Sequence, residues 1–133
     1  MIGTAERELT VQVTAGRGRA RRSLVRRAVA GACSKAGLPI DRIDDAVLIV
    51  EALLADRPTA RADEVHLLLT ARPGSVELLL GPLPDDEAQR LLGDVSLPIV
   101  GPVIAQLATS ACAVEDGSHL LVVVAVRQWP TDL

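Results

Sequence analysis

The sequence predicts an α+β fold, a two-layer sandwich with helices on one face of a mixed or antiparallel sheet. Two observations predict it: helical segments come in adjacent pairs, and strand hairpins lie between and after those pairs. The chain has 133 residues, 49% of them hydrophobic, which is enough for one domain with a substantial core. We therefore expect a single domain over residues 1–133, with the element order β-α-α-β-β-α-α-β-β.

The first part of the chain is predicted to contain one strand and one helix pair. Leu and Val alternate with Thr and Gln over residues 8–14, which predicts a half-buried strand. Apolar residues at helical spacing predict one helix over residues 19–36 and a second from Asp41, its expected N-cap, to Arg57-Pro58. The expected core residues of the two helices are Leu24, Val25, Ala28, Val29, Ala32 and Ala36, and Ile43, Ala46, Val47, Val50 and Leu54.

The rest of the chain is predicted as two hairpins around a second helix pair. Pro73-Gly74 and Asp116-Gly117 are dipeptides typical of tight turns, and the last strand is expected to pair with the chain near Val114. The expected elements are strands over residues 64–72 and 75–80, helices over residues 84–92 and 97–112, and a strand over residues 119–126.

Side-chain alternation along the predicted strands divides the sheet into two faces. The residues expected to face the helices are Leu9, Val11, Val65, Leu67, Leu78, Val122 and Val124. Those expected on the other face are Thr10, Gln12, Leu68, Thr70, Glu77, Leu79, His119, Leu121 and Val123. This second set is too polar for a core and unusually apolar for a solvated surface, which predicts an interface and a homodimer. The alternative is a tolerated scatter of exposed apolar residues.

Composition argues against several classes of function. Trp129 is the only aromatic residue, so platforms for base stacking are missing, and we expect no nucleic-acid partner. A row of arginines at positions 19, 22 and 26 is compatible with a basic binding face, but the net charge of −3 favours an ordinary solvated helix surface. Cys33 and Cys112 show no metal-binding spacing and are expected to be reduced packing residues in helices.

Targeting and membrane signals are also missing from the sequence. Charged residues interrupt the start of the chain before any apolar segment of signal-peptide length. The longest apolar runs are too short to cross a bilayer. We therefore expect a cytoplasmic protein with no membrane partner.

Glu51 is the most informative residue, because it is a carboxylate in the middle of a very apolar helix pattern. On a helical wheel it lies at the edge of the expected core stripe, about 80° from Ile43. A carboxylate in this position can act as a general base for a water or a hydroxyl. The alternative, which the pattern alone favours, is a glutamate that reaches solvent or pairs with an arginine.

The segment Glu51-Ala52-Leu53-Leu54-Ala55-Asp56, together with the element order, resembles the GHKL (Bergerat-fold) ATPase domain in the compact version found in bacterial anti-sigma serine kinases. The resemblance covers nearly the whole chain. That family carries Glu-Ala-x-x-Asn-Ala on its second helix, so the resemblance places Glu51 at the general base and Ala55 at the magnesium-ligating Asn. A methyl group cannot ligate a metal, and Asp56 lies about 100° further around the helix.

Two further ATP motifs of the family are altered in this chain. Where the family has Asp-x-Gly-x-Gly after its third strand, the chain has Gly81-Pro82-Leu83-Pro84-Asp85, with no Asp at the strand end. Where the family has Gly-Leu-Gly-Leu before its phosphate-wrapping helix, the chain has Pro98-Ile99-Val100-Gly101. Proline lacks an N–H group, and the branched side chain of valine hinders close approach of the backbone to a phosphate.

The resemblance therefore implies a retained fold with an impaired or lost ATP site. Glu51 is expected to be inactive, while Ala55, Gly81 and Gly101 occupy degenerate cofactor-binding positions. We expect no cofactor, no metal and a regulatory role through a protein partner such as a sigma factor or an anti-anti-sigma factor. The alternatives are an ATP-dependent serine/threonine protein kinase that binds Mg-ATP through unorthodox ligands, and a structural partner domain of a larger sensor system.

Overall fold

The computed structural model describes residues 8–14, 19–55, 66–84, 86–94, 96–97 and 101–126. Within these ranges the chain forms a two-layer α+β sandwich, in which helices cover one face of an open five-stranded antiparallel sheet. The predicted fold class is therefore confirmed.

The element order agrees with the prediction, apart from a short extra pair of strands. The sheet runs in the spatial order β1-β2-β3-β7-β6, and β4 pairs with β5 in a separate two-stranded ladder. In chain order the elements are β1 (Leu9–Thr14), α1 (Arg19–Lys35), α2 (Ile40–Ala55), β2 (His66–Arg72), β3 (Ser75–Gly81), α3 (Glu87–Asp94), β4 (Ser96–Leu97), β5 (Gly101–Pro102), α4 (Val103–Leu107), β6 (Ser110–Val114) and β7 (His119–Ala125).

The start of α2 lies two residues earlier than the prediction. The Pro39 carbonyl accepts hydrogen bonds from the backbone N–H groups of Arg42 and Ile43, both at 3.0 Å. Pro39, rather than Asp41, is therefore the residue that precedes the first helical turn. Asp41 lies within that turn, where its negative charge still complements the helix dipole.

The helix pair buries a slightly different set of residues from the predicted one. On α1, Leu24 is 57% exposed, and Cys33 is fully buried beside the predicted core positions. On α2 the buried surface is centred on Ala46, Ile49 and Val50, because this helix contacts α1 on one side and both α4 and β7 on the other. The predicted α2 core residues that are only partly buried are Ile43, Val47 and Leu54.

The predicted helix over residues 97–112 is wrong. Only Val103–Leu107 is helical among the described residues of this segment, and Ser110–Val114 forms edge strand β6. The Thr109 N–H donates to the Val123 carbonyl at 2.8 Å, so the chain begins to pair with β7 directly after α4. A short apolar segment satisfies helical and strand spacing equally, and here pairing with β7 decides the outcome.

The same finding corrects the predicted location of Cys112. It lies on β6 and is exposed, whereas Cys33 is a buried free thiol on α1. The expectation of two packing cysteines in helices therefore holds for Cys33 only.

The strand register confirms the predicted division of the sheet into two faces. Buried and partly exposed residues alternate along β2, β3 and β7, with Leu67, Leu78 and Val122 in the core. Leu9, at 36% exposure, is less buried than predicted, and Val65 lies outside the described residues. We call the surface away from the helices the open face. In the described strands it consists of Thr10, Gln12, His66, Leu68, Thr70, Arg72, Ser75, Glu77, Leu79, Gly81, Ser110, Cys112, Val114, His119, Leu121, Val123 and Ala125.

Candidate functional site

Glu51 lies on α2 and forms an ion pair with Arg26 of α1. Arg26 Nε and Glu51 Oε1 are 2.7 Å apart, and the two side chains remain 59% and 39% exposed, respectively. The carboxylate is therefore at the solvent-facing edge of the helix pair, as the helical wheel predicts. This agrees with the alternative in which Glu51 pairs with an arginine, because the Arg26 guanidinium group donates an N–H to Oε1.

The resemblance assigns three further positions to a degenerate ATP site, and two of them, Ala55 and Gly101, lie at the ends of elements in or beside the helical layer. Ala55 is the last residue of α2, one turn after Glu51. Gly101 pairs with Leu97 in the short β4–β5 ladder, directly before α4, and α4 packs against α2. Glu51, Ala55 and Gly101 therefore belong to the helical side of the sandwich.

Gly81 points away from that side. It ends β3 on the open face, where a β-carbon would collide with the imidazole ring of His119. The ring is held in place through Nδ1, which lies 2.8 Å from Ser118 Oγ and 3.1 Å from a Glu115 carboxylate oxygen. A side chain at position 81 would thus project to the opposite surface from Glu51, so these two predicted positions do not converge.

Several residues named in the sequence motifs fall outside the described residues. These are Asp56, Asp85, Pro98, Ile99, Val100 and Trp129, and the side chains of Arg19 and Arg22 are likewise not described.

The most elaborate polar arrangement is centred on Arg42, which sequence reasoning missed. Its guanidinium group is almost completely buried, with the whole residue only 3% exposed. Nε donates to the Ala125 carbonyl at 2.8 Å, and Nη2 donates to Thr109 Oγ1 at 2.9 Å. Nη1 donates to Asp45 Oδ2 at 2.7 Å and to the Leu107 carbonyl at 3.0 Å.

Arg42 therefore joins the start of α2 to the end of α4, the start of β6 and the end of β7. Thr109 Oγ1 also accepts the Ala125 N–H at 2.9 Å, so the hydroxyl links the arginine to the strand. The sequence did contain an indication of this role. Arg42 precedes Ala46 and Ile49 by four and seven residues, which places a charged residue on the buried stripe of α2.

A cleft of about 630 Å³ opens beside this cluster. Because four hydrogen bonds already tie the guanidinium group to the protein and Asp45 balances its charge, Arg42 is part of the cleft wall and not a free anion receptor. The lining residues are Arg42, Gln106, Leu107, Ala108, Thr109, Ala125 and Val126.

Neither a metal centre of three or more ligands nor membrane insertion is indicated in the described part of the chain. No group of three or more His, Cys, Asp or Glu side chains there is arranged to hold a metal ion. None of the helices described here has the length and apolar character needed to span a bilayer.

Comparison with known proteins does not place the chain in a family. No protein-family model matches it, and no curated protein matches it significantly.

Proposed function

We propose that this chain is a regulatory protein-binding domain, similar to anti-sigma factors, whose nucleotide site is impaired or lost. The observation that carries the proposal is the 2.7 Å ion pair between Arg26 and Glu51. In the family that the sequence resembles, the residue at position 51 activates a hydroxyl. Here the carboxylate is engaged by arginine, and Ala55, one turn further along α2, has no atom that can ligate a metal.

The second support is the chemistry of the remaining motif positions. Gly81 has no carboxylate to accept a hydrogen bond from the adenine amino group, and a side chain there would point to the open face. Pro98 and Val100 stand where backbone N–H groups of glycines would wrap the phosphates. The contacts that hold ATP in the family are therefore all missing, which favours a protein-binding role over a catalytic one.

The partner that we propose is a protein of the sigma-factor system, either a sigma factor or an anti-anti-sigma factor, in the cytoplasm. No nucleic acid is proposed, because the described residues include no Phe, Tyr or Trp side chain on which a base can stack. The regulatory action would then be occupation of the partner's surface, without phosphate transfer.

The test is to measure binding of candidate sigma factors and anti-anti-sigma factors to the purified chain, with and without Mg-ATP. We expect complex formation with one of these partners and an affinity that Mg-ATP does not change. A complex that requires Mg-ATP, or the appearance of phosphoserine or phosphothreonine on the partner, would contradict the proposal.

A serine/threonine protein kinase that uses Mg-ATP is the second candidate. It is favoured by one observation, the 39% exposure of the Glu51 side chain, which leaves the carboxylate reachable from solvent despite its ion pair. The binding and phosphorylation measurements above separate the two candidates directly.

A further inference from the structure

We propose that the two histidines of this chain, His66 and His119, bind one divalent transition-metal ion of the zinc, nickel or copper type. The site lies on the open face of the sheet, above Gly81 at the end of β3. This inference goes beyond the proposed function, because it concerns the face of the sheet opposite the helices and does not depend on the loss of ATP.

The fold brings both histidines of the chain to the same glycine. The strand register sets His66 on β2 directly opposite Gly81 on β3. On the other side of β3, the ring of His119 from β7 lies against Gly81. Both histidines are partly exposed, whereas Gly81 is buried. Two imidazole groups from distant parts of the sequence therefore flank one residue that has no side chain.

Gly81 provides the space for the His119 ring. A β-carbon at position 81 would lie within 2.8 Å of three ring atoms, Cγ, Cδ2 and Nε2, which is closer than β-carbons approach other atoms in proteins. The ring therefore occupies the volume that a side chain at position 81 would fill. Because His119 belongs to β7, a ring above β3 extends towards β2, the strand that carries His66.

The hydrogen bonds of His119 determine which ring nitrogen is available to a metal. Ser118 Oγ donates its proton to the Glu115 carbonyl at 2.9 Å, so it accepts a proton in its 2.8 Å contact with Nδ1. Nδ1 therefore carries the ring proton, and it also lies 3.1 Å from a Glu115 carboxylate oxygen. In the neutral ring the lone pair is then on Nε2, one of the atoms next to Gly81.

The Glu115 carboxylate has the position of an outer partner to a metal-binding histidine. Such a histidine binds the metal through one nitrogen and donates the N–H of the other to a carboxylate, a carbonyl or a water, which fixes the ring and makes the ligating nitrogen more basic. His119 has this arrangement before any metal binds. His66 needs only one ring nitrogen for ligation, so its other nitrogen remains available for a hydrogen bond.

The strand spacing suits one ion between the two rings. β2 and β7 are separated by β3 alone, so their backbones are about 10 Å apart. The His119 ring already covers the middle of this distance, above Gly81. An ion bound about 2.0–2.1 Å from His119 Nε2 would therefore lie on the side of β3 that faces His66.

The ligand atoms select the class of ion. Imidazole nitrogen is a good ligand for Zn²⁺, Ni²⁺ and Cu²⁺, whereas Mg²⁺ and Ca²⁺ prefer carboxylate and carbonyl oxygens. Two imidazoles are fewer ligands than a structural zinc centre has, and no cluster of three or more such side chains occurs among the described residues. Water would complete the coordination, so the ion is expected to exchange with solvent.

Calorimetric titration of the tag-free full chain with zinc chloride and nickel chloride tests the proposal. The titrations use the Cys112→Ser variant, because Cys112 is an exposed thiol that can bind the same ions. We expect one Zn²⁺ or Ni²⁺ per chain and at least about a hundredfold weaker binding of Mg²⁺ and Ca²⁺.

Substitutions in the same background identify the ligands. His66→Gln and His119→Gln should each weaken Zn²⁺ binding at least about tenfold, because each removes one of the two protein ligands. Glu115→Gln should weaken it about tenfold, because it removes the carboxylate beside Nδ1. Glu77→Gln is the matched control, since Glu77 lies on the same face but pairs with Arg72, and it should leave the affinity unchanged.

NMR spectra of the imidazole groups give a measurement that needs no substitution of a ligand. The chain has only two histidines, so each ring gives its own signals. Paramagnetic Ni²⁺, added in less than equimolar amount, should broaden the signals of His66 and His119 together. In the metal-free chain, the ring nitrogen shifts of His119 should show the proton on Nδ1.

Three results would overturn the proposal. The first is a Cys112→Ser variant that binds neither Zn²⁺ nor Ni²⁺. The second is unchanged affinity in either histidine variant. The third is broadening of one histidine ring without the other, and this result decides the matter if His119→Gln unfolds the chain. Binding of Mg-ATP in a separate titration would overturn the proposed function but would leave these outcomes unaffected.

Discussion

Arg26 and Glu51 connect the two long helices through a 2.7 Å ion pair at the edge of the helical layer. Glu51 is the carboxylate that the sequence indicates as a candidate general base, and in the structure it is paired with Arg26. Because both side chains are more than a third exposed, water screens the interaction, and the pair contributes little to stability.

We predict that Glu51→Gln and Arg26→Ala each change the free energy of unfolding by less than about 1 kcal/mol. Urea denaturation of the two variants and of the double variant measures the individual effects and their coupling. Glu51→Gln is also expected to leave partner binding unchanged. If phosphate transfer to a partner occurs and Glu51→Gln abolishes it, the kinase alternative is correct.

The second prediction concerns Arg42, whose guanidinium group joins four segments of the chain. Arg42→Met should lower the free energy of unfolding by about 3–5 kcal/mol, because it leaves the Asp45 carboxylate without its buried counter-ion. Differential scanning calorimetry or urea denaturation measures the loss. Arg27→Ala is the matched control, since Arg27 is exposed on α1, and it should change stability by less than about 0.5 kcal/mol.

The double variant Arg42→Met/Asp45→Leu provides the test of mechanism. Removing both charges should recover part of the loss, because the carboxylate that lost its ion pair with Arg42 is then removed as well. A double variant that is as unstable as the sum of the two single variants would show that the charges do not act as a pair.

The third prediction concerns the two cysteines. Burial raises the pKa of the Cys33 thiol from 9.0 to about 11, so very little thiolate exists near neutral pH. A thiol reagent should therefore modify one residue per folded chain, Cys112, and modify the second only on unfolding. Cys112→Ser should remove the fast reaction completely. Equal reaction rates for both thiols would contradict the placement of Cys33 in the core.

The raised pKa of Cys33 also sets the sign of a pH effect on stability. The folded chain favours the neutral thiol, so its contribution to stability is complete below the unfolded pKa of 9.0 and is lost as pH rises to about 11. Over this pH interval, the free energy of unfolding should fall more steeply with pH for the wild type than for Cys33→Ala. Parallel curves for the two proteins would contradict the assignment.

Local patterns in the sequence were sufficient for the first strand, the first helix and the hairpin that follows the helix pair. Gly74, for example, has a φ of +82°, as a glycine in the turn between β2 and β3 is expected to have. The two faces of the sheet were also predictable, because side chains alternate along a strand and the buried residues Leu67 and Leu69 follow that alternation.

Features that depend on distant contacts were not predictable in the same way. The acceptors for Arg42 on α4, at Thr109 and on β7 lie 65 to 83 positions further along the chain, and no local pattern specifies them. The strand near Val114 was predicted, but its first residues, 110–112, were assigned to a helix because this segment fits either period. For Glu51, the sequence predicted a position at the edge of the core and an arginine partner as one alternative, but it did not identify Arg26.

The central claim is that the nucleotide site is impaired or lost, and calorimetric titration of the wild-type chain with Mg-ATP tests it most directly. Each lost charge-assisted contact removes about 1.5–3 kcal/mol, so two such losses weaken binding by about two to four powers of ten. An anti-sigma kinase with intact motifs serves as the positive control. We predict no measurable heat of binding, or a very weak affinity; a dissociation constant in the low micromolar range would contradict the account.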